Sequence, residues 1–344
     1  MKLIRNLLCG LVAVILLSGC GSRKPVLYIY NWADYMDPAI IRQFQREFGV
    51  RVRVDTFDSN EAMYAKLRAG ASGYDLLFPS SYMVSVMAGQ NMLLPLDHNQ
   101  IPNLQNIDPA FAKFSQDQAM VYSVPYMVSY TGIAYRKDLV DDVPRSWQAF
   151  AQERFAGRMT MLNDMRETIG AALLYLGYSI NSIDLTELEE ARDVAIGWKR
   201  NLAKFENEQY KTGLAAGEFF VVHGYSGDIL QVAEDNDNIV FFLPAEGFSI
   251  ARDDMCIPRD ARSPALAHAF INFLHRPEIA ARNMEWVAYL CPNKPAYKLV
   301  DEELIENPAV FLPEELMDKA EVMIDLGENI TLYTAIWDQI KAAN

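Results

Sequence analysis

Val26-Leu27-Tyr28-Ile29-Tyr30-Asn31-Trp32, then Asp37-Pro38 ahead of Ile40 and Ile41, then the run Val50 to Phe57, together decide the fold class. The first run is β-branched and aromatic and reads as a strand. Asp37 followed by Pro38 reads as an N-cap with proline at the first helical position. Ile40, Ile41, Phe44 and Phe48 recur at helical spacing, and Gly49 supplies the stop. Residues 50–57 form the next strand, Asn60 opens a helix through Leu67 that stops near Gly70, and Tyr74–Phe78 is a short apolar strand broken at Pro79-Ser80-Ser81. Strand, helix, strand, helix, strand within about sixty residues is a βαβαβ unit on a parallel sheet. Such sheets take ligands beyond the carboxyl ends of their strands. Those ends are Asn31-Trp32-Ala33-Asp34-Tyr35 and Pro79-Ser80-Ser81-Tyr82, both aromatic and polar.

Outward from this unit the alternation continues. Strands are expected at 127–135, 158–162, 219–223 and 239–243, and helices at 146–153, 165–176, 185–204 and 227–234. The C-terminal third reads as mostly helical. No internal repeat or low-complexity linker interrupts the chain.

Toward the N-terminus, Lys2 and Arg5 precede an apolar stretch from Leu7 to Leu17, and Leu17-Ser18-Gly19-Cys20 closes it. That stretch is far shorter than the roughly 20 residues that span a bilayer. It reads as a secretory signal peptide over residues 1–19. Cys20 at the cut site resembles a bacterial lipobox, so residues 20–25 are expected to be a lipidated tether on the extracytoplasmic face of a bacterial membrane. At 51% hydrophobic and 22% charged residues the full chain has an ordinary globular composition, and the part after residue 19 is long enough for two domains. The formal charge of −14 falls to −16 when Lys2 and Arg5 leave with the signal. Such acidity argues against nucleic acid and permits a cationic ligand. Cys256 and Cys291 remain in an oxidising compartment and are expected to lie close enough to bridge.

The candidate site residues each carry two readings. Trp32, Tyr35 and Tyr82 at strand ends could cover a cation, an attraction of about 0.5–2 kcal/mol each, or could pack in the core. Asp164 and Glu167, three apart at a helix start, form a capping pair or a pair of carboxylates aimed at an ammonium, and the two are compatible. His223-Gly224-Tyr225-Ser226-Gly227-Asp228 approaches a nucleophile elbow but has Asp228 where the final glycine belongs. With no nucleophile–base pair found, a secreted hydrolase is disfavoured. The four histidines lack metal-ligand spacing, Asp235-Asn236-Asp237-Asn238 lacks the glycine and distal glutamate of a calcium loop, and no cofactor motif occurs.

Read together and in order, Tyr30-Asn31-Trp32-Ala33-Asp34-Tyr35, Tyr74 to Tyr82, Thr131-Gly132-Ile133-Ala134-Tyr135, Ser146-Trp147, the Asp164–Glu167 helix start, Gly224 to Asp228, Pro244-Ala245-Glu246-Gly247, and Tyr289 with Pro292-Asn293 resemble the extracytoplasmic spermidine/putrescine-binding family of ABC importers. The resemblance implies an α/β, two-lobed periplasmic-binding-protein fold of type II, each lobe a central β-sheet flanked by helices, with the ligand cleft between them. It implies lobes that are discontinuous in sequence, residues 26–127 plus 249–298 and residues 128–248 plus 299–344. It puts Trp32 and Tyr35 on the polyamine chain, Ser80 and Tyr82 at one amine, and Glu167 with Asp164 at the other. Asp253 matches the central carboxylate, flanked by Tyr289, and Asp228 and Asp34 match acids of putrescine-selective relatives. Tyr225 stands where tryptophan is usual and Ala251 where a large aromatic is usual, so that wall is expected to be wider. The expected activity is capture and delivery of putrescine or spermidine to a permease, without catalysis, by a monomer. The alternatives are a site for another small cation such as a quaternary ammonium, which would need fewer acids, and a ligand-presenting partner of a sensor.

Overall fold

The computed structural model describes residues 24–343. The expected signal peptide and Cys20 lie outside the described residues.

The opening βαβαβ unit forms as its local sequence dictates. Strand β1 (Val26–Trp32) leads into a helix at Pro38–Phe48, whose N-cap Asp37 accepts a hydrogen bond from the Ala39 amide and whose C-cap Gly49 sits at φ 66°. Ile40 and Phe44 are the buried positions of that helix, and Phe44 meets Phe270 edge-on at 4.7 Å. Strand β2 (Arg51–Phe57) lies parallel to β1, the Asn60–Arg68 helix follows, and the short β3 (Leu76–Leu77) flanks β1 on its other side, also parallel.

Ten strands make one sheet, eight of them along a continuous hydrogen-bonded path with two more paired at its side. Two long strands run through its middle: β4 (Ser123–Arg136) and β9 (Phe248–Cys256), paired antiparallel from Ser123 opposite Cys256 to Tyr130 opposite Ile250. On one side β9 meets β3 and through it β1 and β2. On the other side β4 meets β7 (Val221–Tyr225) and β8 (Ile239–Phe242) antiparallel, and β7 continues parallel to β5 (Met159–Met161) and β6 (Leu202–Phe205). Strand β10 (Ala320–Val322) joins the start of β9 in parallel. The result is two sets of parallel strands bridged by β4 and β9.

Several elements differ from the sequence expectation. The helix expected at 146–153 is two short 3₁₀ turns, Trp147–Ala151 and Glu153–Phe155. The helix expected at 185–204 stops at Lys199, and β6 follows it. A helix at Tyr210–Ala216 has no counterpart in the sequence reading. Strand β9 also has no counterpart among the expected strands; Asp253 and Asp254 lie inside it, Asp254 being neutralised by a fully buried Arg252, Nε to Oδ1 2.7 Å, and receiving the Ser123 hydroxyl. The expected bridge between Cys256 and Cys291 is absent. Both are buried free thiols, Cys256 packed in the cluster with Met83 and Leu93 and Cys291 in another with Tyr126 and Ala296. Burial pushes both thiols upward, Cys291 to about 12, which keeps them protonated.

Among the described residues no helix is long and apolar enough to cross a membrane.

Candidate binding cleft

The carboxyl ends of β1, β3, β5 and β7 open on one cleft of about 340 Å³. Every ligand-binding residue expected from the sequence lines it, although these residues come from widely separated parts of the chain. The cleft gathers three groups of carboxylates with aromatic rings between them.

Asp253 forms the first group. It projects from β9 and is 7% exposed. Its Oδ2 accepts the Tyr35 hydroxyl at 2.8 Å and its Oδ1 accepts the Ser80 hydroxyl at 2.6 Å. Ser80 is itself fixed by Asn60, whose side chain takes the Ser80 amide and donates to its hydroxyl. Burial raises the Asp253 carboxyl to about 6, against the two hydroxyls that favour its ionised form.

The second group is Asp228 and Asp34. Asp228 stands in the first turn of the Ser226–Ala233 helix, whose amide end favours a negative charge. It accepts the hydroxyls of Tyr210 at 2.9 Å and Tyr289 at 3.2 Å. Tyr289 also meets Tyr35 edge-on at 5.1 Å, so the first two groups share an aromatic wall. Gly227 makes this wall possible, since a Cβ there would come within 2.3 Å of the Tyr289 ring. Asp34, at φ 49° in the turn after β1, reaches the same place. Lys211 on the Tyr210–Ala216 helix lies between the two acids, 3.3 Å from Asp34 and 3.8 Å from Asp228.

Asp164, Glu167 and Glu61 form the third group. Asp164 caps its helix, accepting the amides of Arg166 at 2.9 Å and Glu167 at 3.0 Å. Glu167 does not return to the cap. It turns to the hydroxyls of Thr131 at 2.9 Å and Ser249 at 2.7 Å, so the helix start both caps itself and faces the cleft. Glu61 accepts the Tyr82 hydroxyl at 3.0 Å. Burial, and then the charge of Asp164, raises Glu167 to about 8 and Glu61 to about 7; burial raises Asp164 as well. The Arg166 guanidinium opposes these shifts from behind, where it is held by Asn181 and the Ile324 carbonyl. Tyr225 also lines the cleft, and burial, with the nearby charges of Asp164 and Glu167, holds its hydroxyl protonated.

Sequence reasoning missed Glu61, Lys211, Thr131, Ser249 and Asn60. Glu61 reads locally as an ordinary first-turn acid behind the cap Ser59, and Lys211 sits in a helix of 7 residues, too short for its apolar spacing to stand out. Only Thr131 fell within a motif singled out for another reason. His223, in the sequence resembling a nucleophile elbow, is fully buried against Trp147 at 4.9 Å and held neutral by desolvation down to about 3.

A cleft with repeated carboxylates, hydroxyl donors that orient them, and rings between them is suited to cationic groups joined by apolar spacers. Each ammonium gains a charge partner, and each methylene buried against a ring is worth about 0.8 kcal/mol.

The family model described as bacterial extracellular solute-binding protein matches residues 39–312. The chain is 31% identical over 341 residues to the spermidine/putrescine-binding periplasmic protein of Escherichia coli, covering 98% of both chains. It is 33% identical over 342 residues to the putrescine-binding periplasmic protein SpuD of Pseudomonas aeruginosa, covering 94% of this chain and 93% of that one. Among solved structures, the TpPotD lipoprotein of Treponema pallidum superposes with a TM-score of 0.82 at 35% identity, over 92% of this chain and 99% of that one.

Proposed function

The chain belongs to the bacterial extracellular solute-binding proteins and has their periplasmic-binding-protein fold, and from that premise we propose that it captures putrescine or spermidine outside the cytoplasm and delivers it to the permease of an ABC importer. It is a binding protein, not an enzyme. The observation that carries the ligand class is the convergence of Asp253, the Asp228–Asp34 pair and the Asp164–Glu167 pair, with Glu61 behind Tyr82, on one aromatic-lined cleft. A quaternary ammonium would use the rings but leave most of these acids without a partner, at a desolvation cost of several kcal/mol per buried ion.

In this reading Ser80 and Tyr82 meet one amine, Glu167 and Asp164 another, Asp253 pairs with the amine that the candidate ligands share, and Trp32, Tyr35, Tyr225 and Tyr289 cover the methylenes. Residues 26–127 with 249–298 act as one lobe and residues 128–248 with 299–344 as the other, hinged on β4 and β9. Ligand favours the closed form of an open–closed equilibrium. Cys20 carries the lipid that holds the monomer at the membrane. Calorimetric titration of lipid-free protein with putrescine, spermidine, spermine and choline tests the function. Saturable binding of at least one polyamine, tighter than choline, is expected; absence of polyamine binding, or a preference for choline, overturns it.

A further inference from the structure

Among the described residues the cleft wall carries two cationic side chains, and they are not equivalent. Arg252 is committed to Asp254, fully buried, with two guanidinium nitrogens on the carboxylate at 2.7 and 2.8 Å. Lys211 is committed to the cleft itself. Its side chain is only 11% exposed, and its ammonium lies 3.3 Å from Asp34 and 3.8 Å from Asp228. Among the described residues the other two carboxylate groups have no cation within ion-pair distance; Arg166 acts on the Asp164–Glu167–Glu61 group only from behind, turned to Asn181 and the Ile324 carbonyl. Asp253 receives only the hydroxyls of Tyr35 and Ser80, and Glu167 only those of Thr131 and Ser249. Two groups therefore await an ammonium and the third already holds one.

We propose, resting on the polyamine reading, that Lys211 is a specificity-determining residue: its ammonium fills the Asp34–Asp228 seat and makes the cleft select amines with two cationic groups over amines with three. A diamine finds two unoccupied carboxylate seats. The third ammonium of a longer amine must enter beside Lys211 and share two acids with it, or drive Lys211 into water. Like charges close together in a partly desolvated site repel strongly, so either route costs affinity. Removing the lysine charge frees both acids for the ligand. Asp228 then keeps the Tyr210 and Tyr289 hydroxyls as partners, so the wall that holds it stays intact.

The test is the ratio of spermidine to putrescine affinity, measured by calorimetry on lipid-free wild type, Lys211→Met and Lys211→Arg, with folding checked by circular dichroism. The methionine keeps the length and loses the charge, and its ratio is expected to rise about tenfold toward spermidine. The arginine keeps the charge and is expected to stay near the wild-type ratio. A rise of less than threefold in Lys211→Met overturns the proposal, as does an equal rise in Lys211→Arg, which would assign the effect to shape. If wild type binds neither amine, the polyamine reading itself fails and takes this inference with it. Wild-type binding with an unchanged ratio in the methionine variant removes only the role of Lys211.

Discussion

Asp253 concentrates the chemistry of a single residue. It is buried and faces two hydroxyls but no cation, so on the proposed reading its charge has value only when an ammonium arrives. Asp253→Asn preserves the shape and removes the charge. Losing one partner of a buried ion pair costs about 3–5 kcal/mol, or a factor of several hundred or more in affinity. Polyamine binding in the asparagine variant is therefore expected to weaken at least that much while the melting temperature is unchanged or higher, since a desolvated carboxyl has been removed. Near-normal affinity in the folded variant would show that the central amine is held elsewhere.

At the scale of elements, the decisive junction is the entry from β7 into the Ser226–Ala233 helix. Gly224 lets the Tyr210 ring approach the strand, where a Cβ would meet it at 2.4 Å, and Gly227 does the same for Tyr289. Glycine to alanine inside a helix ordinarily gains about 1 kcal/mol. Gly227→Ala should do the reverse, because Tyr289 is 3% exposed and its ring has nowhere to go. Urea unfolding is expected to show a loss of about 1–3 kcal/mol, and titration should show weaker polyamine binding as Tyr289 leaves Asp228 and Tyr35. A stabilised variant with unchanged affinity would mean the ring yields freely. The local signals around such junctions were uneven. Asp37-Pro38 and Gly49 marked one helix well, because caps depend on adjacent residues alone. The segment 185–204 misled, because Leu202–Phe205 becomes a strand only by pairing with β5.

For the whole molecule, burial of many carboxylates in one cleft makes both stability and binding depend on pH. Glu167, Glu61 and Asp253 are raised to about 8, 7 and 6, from 4.5, 4.5 and 3.8. The folded empty protein thus holds protons that the unfolded chain releases. The stability from these groups is fully present below the ordinary carboxylate range and is lost as pH rises through about 6 to 8. Melting temperature of the ligand-free protein should fall from about pH 5 to about pH 8.5. Polyamine affinity should rise over the same range, because an ammonium demands the ionised acid, and binding should release protons. Titrations in buffers of different ionisation enthalpy measure that release; heats that do not depend on the buffer would contradict it. Closure of two lobes about β4 and β9 predicts a smaller radius of gyration with ligand, and small-angle scattering that shows no change on saturation would count against it.

The alternation of strand and helix over residues 26–82 follows from hydrophobic period, caps and breakers, all of which act over a few residues, and so it was readable in the chain alone. The aromatic and polar strand ends were readable for the same reason: parallel sheets place those ends at a ligand wherever the strands lie. The order of the motifs carried Asp253 and Tyr289 to the same cleft. Tertiary structure alone decided what those residues meet. Lys211 reaches Asp34 across 177 positions, Glu61 reaches Tyr82 and the acid group around Asp164, and Cys256 and Cys291 come to rest in separate apolar clusters as free thiols. Local pattern says which face of an element is polar, but the partner of a charge is set by how distant elements pack, and in this cleft the partners determine which carboxylates remain open to a cation.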